Sequence, residues 1–167
     1  PRSRVDEIKK RTVDVYTLPL PQYTALFFNQ AQFTAAQNNG VRKAFALAVN
    51  KQEIAQRVLL GQATPLTGPL PPGTPGYRPI ENDPLAFSIE KASKELTTAG
   101  WNEVSRTELT EDDTLGAPAS QQVFRKNRKG DILTVAITTV DTPEAIETAQ
   151  AVQMYWQRIG VMVTIKR

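Results

Sequence analysis

The sequence predicts an α/β fold in which a mixed sheet is covered by helices. Three observations carry that expectation. Tyr23–Phe28 is a short aromatic and aliphatic run, residues 132–165 read as strand, helix, strand, and two amphipathic stretches stop at Gly100 and Gly160.

Taken in order, Val13–Leu18 alternates as a strand does and ends at Pro19 and Pro21. Tyr23–Phe28 is too short for three helical turns and reads as a buried strand ending at Asn29. From Val41, apolar residues at Phe45, Ala48 and Val49 mark one helix face. The period breaks at Asn50. There the asparagine is an N-cap for Glu53, Glu53 reaches back as in a capping box, and Val49 and Ile54 form the staple. A second helix then runs from Lys51 to a stop at Gly61.

Residues 61–84 hold seven of the twelve prolines and four of the nine glycines. Proline lacks a donor and fixes φ, so the segment is an ordered, extended loop, anchored by Leu66, Leu70, Tyr77 and Ile80. A third helix has Ser88 as N-cap, Phe87 and Ala92 as staple, and a stripe of Ile89, Ala92, Leu96 and Ala99. Gly100 ends it in the left-handed conformation, with Trp101 folded back on Leu96. Residues 102–120, acidic around Glu111–Asp113, read as an exposed insertion. Gln121–Lys126 and Ile132–Thr139 read as a hairpin around a polar turn at 127–131. The last helix starts at Thr142 with Pro143 at its first position and buries Ile146, Ala149, Val152, Trp156 and Ile159. Gly160 stops it, and Val161–Ile165 forms a final strand, giving a right-handed βαβ unit if the two strands are parallel.

Composition narrows the function classes. The chain has 167 residues, 40% hydrophobic and 22% charged, a single domain's worth or one lobe of something larger. It contains neither cysteine nor histidine. That removes thiolate and imidazole metal ligands, cysteine nucleophiles and the commonest general base. No nucleotide-binding loop and no nucleophile–base constellation is present, so no catalytic residue, cofactor or metal is assigned. The net charge of +3 is mild. The basic clusters Arg2–Arg4, Lys9–Arg11 and Arg125–Lys129 lack interleaved aromatics and read as solvated surface, not as a nucleic-acid site. The three adjacent acids Glu111, Asp112 and Asp113 lack the spacing of a calcium loop. Glu103 and Glu108 read as surface.

The order "apolar strand, Phe-Asn, loop, Val-Arg-Lys-Ala, Ala-Val-Asn-Lys-x-x-Ile, Gly" resembles the bacterial extracellular solute-binding proteins of family 5. The likeness continues through Gln62–Pro65, the Pro-rich segment, Lys91-Ala92, Ala99-Gly100-Trp101 and Ile159–Val163. It implies one lobe of a periplasmic-binding-protein-like (type II) fold, specifically part of the large C-terminal lobe. It further implies capture of a peptide or other small solute between two lobes, outside the cytoplasm, as a periplasmic protein or cell-surface lipoprotein. Delivery would be to an ABC permease, with membrane contact only through that permease or a lipid anchor outside this chain. Strand ends and helix N-termini face the cleft in such folds. The ligand-binding candidates are therefore Asn29, at the end of the first strand, and Thr139 and Asp141, in the strand-to-helix turn whose free N–H groups would meet a ligand. The structural alternatives are that Asn29 ties down its own loop and that Asp141 or Thr142 caps the helix. In peptide-binding members an acidic residue for the peptide's amino terminus follows the strand matching Val161–Ile165, and no residue here corresponds to it. The charged opening PRSRVDEIKKR, the absence of an initiator Met and the stop at Arg167 suggest a mature form or an excised piece. Two rival readings are a solute-sensing module of a transcription regulator, and a structural or interaction domain with no ligand of its own.

Overall fold

The computed structural model describes residues 22–167; the expected strand Val13–Leu18 and the clusters Arg2–Arg4 and Lys9–Arg11 lie outside them. Among these residues, six helices or helical turns precede and interleave with four short strands. A 3-10 turn at Thr34–Gln37 leads into α1 (Asn39–Leu47), α2 (Lys51–Arg57) and, after the Pro-rich loop, α3 (Ile89–Thr98). Then come β1 (Asn102–Ser105), a 3-10 turn at Arg106–Glu108, β2 (Val123–Lys126), β3 (Thr134–Thr138), α4 (Pro143–Arg158) and β4 (Met162–Lys166). The strands are of both senses, but they divide into two small sheets. β1 pairs antiparallel with β2, and β3 pairs parallel with β4, Thr134 opposite Met162 and Thr138 opposite Lys166. α4 connects β3 to β4, so the expected βαβ unit is present.

The break at Asn50 is sharp. Its carboxamide accepts from the Glu53 N–H at 3.1 Å, and α2 begins at once. The reciprocal half of the capping box does not form. Glu53 instead accepts the Tyr155 hydroxyl at 2.5 Å and Arg57 at 2.7 Å, because a long-range partner from α4 outcompetes the local backbone donor.

Stopping α1 one turn short of α2 leaves most of its last carbonyls without helical donors. Of the last four, Ala44 keeps the ordinary helical donor, Ala48 N–H, and the other three find donors of other kinds. Val49 N–H donates to Ala46, while Ser88 N–H, entering α3, donates to Leu47 at 2.9 Å. The indole N–H of Trp156 takes the fourth, Phe45 O, at 3.0 Å. The same ring meets Phe45 edge-on at 4.4 Å, so one tryptophan both packs against α1 and caps it. Trp156 is 2% exposed at the centre of a core built from α1, α3, α4 and the inner faces of β3 and β4. Trp101 is half-buried and packs against its margin.

α3 and α4 end in the same six-residue device. After α3, Trp101 N–H bonds to Leu96 O and Gly100 N–H to Thr97 O; after α4, Val161 N–H bonds to Trp156 O and Gly160 N–H to Gln157 O. Gly100 and Gly160 have φ of 91° and 88°. A Cβ on Gly100 would meet open space, whereas one on Gly160 would lie 3.0 Å from the Phe124 carbonyl carbon.

That proximity reflects Arg125, which the sequence placed on the surface and the structure buries to 1% exposure. Its Nε–H donates to Ile159 O at 2.9 Å, Nη1 to Thr97 Oγ1 and Trp101 O at 3.0 and 3.3 Å, and Nη2 to Glu103 at 3.1 Å. One cation thus sits at the negative ends of two helices. Burial lowers its pKa from the ordinary guanidinium value and Glu103 opposes the shift.

Four further expectations need correction. Tyr23–Phe28 runs without regular strand pairing among the described residues, with Phe27 84% exposed; an extended run becomes a strand only when a neighbour supplies the ladder. Asn102–Ser105 is not part of an exposed insertion but is β1, whose partner lies some twenty residues on. The turn at 127–131 forms, with Asn127 Oδ1 accepting from Lys129 and Asp131, yet after one bridge (Lys126–Ile132) β2 and β3 diverge into different sheets. In the Pro-rich loop Leu70 and Ile80 are exposed, and the loop is held by Lys51, whose ammonium donates to Leu66 O at 3.0 Å and Asp83 Oδ2 at 3.3 Å.

Three stability measurements follow. Trp156→Ala removes a packed ring and orphans Phe45 O, and chemical denaturation should show a loss of roughly 3–5 kcal/mol, against about 1 kcal/mol for Asn50→Ala. Gly160→Ala should cost clearly more than Gly100→Ala, since both carry the left-handed strain but only the first drives a methyl into backbone; equal losses would refute the close-contact account. Tyr155 is pushed up to about 12 from 10.0 by burial first and by Glu53 second. A raised folded pKa means stability that is whole below pH 10 and lost as pH climbs towards 12, so alkaline unfolding of Tyr155→Phe should be shallower than that of the parent chain.

Candidate functional site

The chain leaves the core at Phe28, whose ring packs on Phe45 at 5.7 Å and stacks on Trp156 at 6.2 Å. Asn29 begins the next turn. Its Oδ1 accepts from Ala31 and Gln32 N–H at 3.2 and 3.3 Å, and its carbonyl accepts from Phe33 N–H at 2.8 Å. This is an Asx-type turn, so Asn29 does tie down its loop. The same geometry turns only the acceptor inward. Among the described residues the carboxamide nitrogen has no acceptor, and the residue is exposed. Phe33 returns the turn to the core against Phe45 at 5.7 Å. Gln37 Nε2 closes it by donating to Gln30 O at 3.2 Å, and Asn38 caps α1 by accepting from Gly40 N–H at 2.8 Å.

Thr139 and Asp141 share the turn between β3 and α4. The backbone donors here are less free than expected. Thr139 N–H extends the β3–β4 ladder to Lys166 O at 3.0 Å, and Thr142 N–H closes a tight turn on Val140 O at 2.9 Å. Thr142 stands at the N-cap without a side-chain cap bond; Pro143 follows at the first helical position and Glu144 sits in the first turn. Asp141 is exposed and makes neither a hydrogen bond nor an ion pair among the described residues, so it does not cap the helix either. Beside it Val140 is 67% exposed. The turn therefore presents a carboxylate, the unused Thr142 hydroxyl and an aliphatic side chain at the carboxyl end of a parallel strand.

The two loci are separate. Asn29 follows Phe28, which is seated at the last turn of α4, whereas Thr139 and Asp141 precede its first turn; the helix between has 16 residues, about 24 Å. No hydrogen bond or ion pair joins them among the described residues. Two shallow cavities lie elsewhere, one of about 290 Å³ on the Pro-rich loop beside Leu70 and Tyr77, the other of about 360 Å³ beside Glu103 and Gln122. Among the described residues no acidic cluster is placed to hold a metal ion, and no helix is long and apolar enough to cross a membrane.

Sequence reasoning missed three groups. Arg42 was visible only as part of a motif, yet its guanidinium donates to Ala36 O at 2.6 Å, Gln37 O at 3.0 Å and Asn39 Oδ1 at 3.1 Å. Arg125 looked like a surface charge. The Glu53–Tyr155 bond joins residues 102 positions apart, and no local pattern signals such a pair. The Tyr155 hydroxyl, and then Arg57, hold the Glu53 carboxyl below its usual range.

Comparison with known proteins places this geometry. Residues 2–167 match the sequence model of the bacterial extracellular solute-binding proteins, family 5 middle. No curated protein sequence matches the chain. Among solved structures, the oligopeptide-binding protein AppA of Bacillus subtilis, in complex with a nonapeptide, is similar over 83% of this chain and 25% of its own, at 19% identity and a TM-score of 0.65. NikA of Brucella suis, in complex with Fe(III)-EDTA, is 27% identical over 78% of this chain and 23% of its own, with a TM-score of 0.59. The lactococcal OppA, complexed with an endogenous peptide in the closed conformation, is 23% identical over 78% of this chain and 22% of its own, with a TM-score of 0.60. The chain thus spans about a quarter of the length of the structures it matches. The likeness in structure shows the mixed α/β fold, and the match along nearly the whole sequence shows the family: this chain belongs to the bacterial extracellular solute-binding proteins of family 5.

Proposed function

We propose that this chain forms part of the large C-terminal lobe of a two-lobed solute-binding protein, and that the protein captures peptides outside the cytoplasm for an ABC permease. The observation that carries the reading is the exposed turn after β3, at the carboxyl end of a parallel βαβ unit, in a chain of this family. Ligands of open α/β folds settle at such strand ends. Asp141 offers an acceptor for a cationic or N–H group there, Thr139 a half-buried neighbour that shapes the turn, and Asn29 an outward amide donor from the other locus. The ligand-facing surface of this lobe would be completed by the opposite lobe, which closes on the solute about a hinge. The role we assign to the protein is capture and release of a solute.

Affinity in such a trap comes from enclosing most of the ligand's surface. One lobe leaves a side of the ligand in water, and this chain has no counterpart of the acidic residue that pairs with a peptide's amino terminus. A charge-assisted hydrogen bond of that kind contributes about 1.5–3 kcal/mol. Losing it together with half the enclosure moves a micromolar binder, near −8 kcal/mol, to about millimolar or weaker. Calorimetry of the isolated 167-residue chain against di- to pentapeptides should therefore show no binding tighter than about 10 μM. A tighter constant would mean that this chain holds a complete site, and the partial-lobe reading would be abandoned.

A further inference from the structure

We infer that Arg42 is a positioning residue for Asn29: its guanidinium fastens the turn of residues 29–38 so that the Asn29 amide donor is presented in one orientation. The inference rests on the reading of Asn29 as ligand-facing, and it concerns how that residue is held.

Asn29 sits where regular structure is missing. The extended run before it has no regular strand pairing among the described residues, and the turn after it contains only one 3-10 turn. An exposed side chain on such a segment loses rotamer and backbone freedom when it binds, so useful contact requires the segment to be ordered in advance. Arg42 supplies that order from α1, a rigid element. The end of the 3-10 turn leaves the carbonyls of Ala36 and Gln37 pointing away from α1's own ladder, and a single guanidinium nitrogen takes both, at 2.6 and 3.0 Å. The second nitrogen holds Asn39 Oδ1 at 3.1 Å, so the two branches of the fork span the junction between turn and helix. From Gln37 the connection continues: its side chain donates to Gln30 O at 3.2 Å, one residue from Asn29. Asn29 is then fixed by its own bonds to Ala31, Gln32 and Phe33.

Arg42 has no ion-pair partner among the described residues, so its charge serves carbonyls and an amide oxygen instead of a carboxylate. A lysine would keep the charge but could not hold both sides of the junction with a planar fork.

The test compares Arg42→Ala, Arg42→Lys, Asn29→Ala and the double variant. In the 167-residue chain, amide hydrogen exchange at Ala31, Gln32 and Phe33 should accelerate by about tenfold or more in Arg42→Ala, with Arg42→Lys intermediate and the β3–β4 amides at Val135 and Val163 unchanged. Uniform acceleration across the core, or none at the turn, would overturn the inference, because Arg42 would then serve general stability or nothing. The second arm uses the two-lobed protein proposed above, with trialanine as the calorimetric probe. Each single substitution should weaken trialanine by about tenfold, and the double variant should be little worse than either single, as two residues acting through one contact require. Effects that multiply would overturn the positioning role. If Asn29→Ala alone leaves the affinity unchanged, or trialanine does not bind, the reading of Asn29 as a ligand residue fails and takes the functional part of the inference with it. The exchange data separate that failure from a failure of Arg42 to hold the turn.

Discussion

The ends of helices are where this structure is decided. Three helices finish inside or against the core, and each leaves carbonyl oxygens that must find donors away from water. At the end of α1 those donors come from the backbone entering α3 and from the Trp156 indole. At the ends of α3 and α4 they come from the turn residues themselves and from Arg125. Satisfying these oxygens fixes the separation of α1 from α3 and α4, and of α3 from α4, before any apolar contact is counted. The aromatic cluster of Phe28, Phe33, Phe45 and Trp156 then fills the space so defined.

A buried guanidinium is an unusual choice for this task, and its geometry explains it. Four acceptors on three segments surround Arg125: the α4 cap, the α3 last turn, the residue beyond it, and a carboxylate on β1. Only a planar, multidentate donor reaches all of them without introducing an acceptor of its own. Its partner Glu103 has a side chain 58% exposed, so the pair draws little on Coulomb attraction and much on hydrogen bonds to otherwise orphaned oxygens. Gly160 is the counterpart of that arrangement, since the α4 cap lies so close to the β2 backbone that no side chain fits between.

What was legible in the sequence was local. The caps at Asn50 and Ser88, the stops at Gly100 and Gly160 and the βαβ order all follow from residues within a few positions of one another, and all appear in the structure. What was illegible depends on partners far along the chain. Nothing near Arg125 announces that two helix ends will converge on it, and a basic run reads as surface by default. β1 hides in an acidic stretch because its pairing is set by β2, and Tyr23–Phe28 has a strand's composition without a regular ladder among the described residues. For the candidate site the same division holds. Sequence order picked out the turn after β3, but not that Thr139 and Thr142 would already have spent their N–H groups, nor that Asn29 would stand at the other end of α4.

The loop between α2 and α3 has a property of a different kind. Leu66 O and Asp83 Oδ2 share one ammonium, that of Lys51, so the chain from 67 to 82 departs from and returns to nearly the same point on the surface. A segment closed at its base in this way is insulated from the core. Its length is then a nearly free variable, because doubling a flexible loop raises its closure entropy by only about 0.6 kcal/mol. This is the place where the lobe could accept a foreign sequence, a reporter domain or a new pair of termini, while α2 and α3 remain docked as they are.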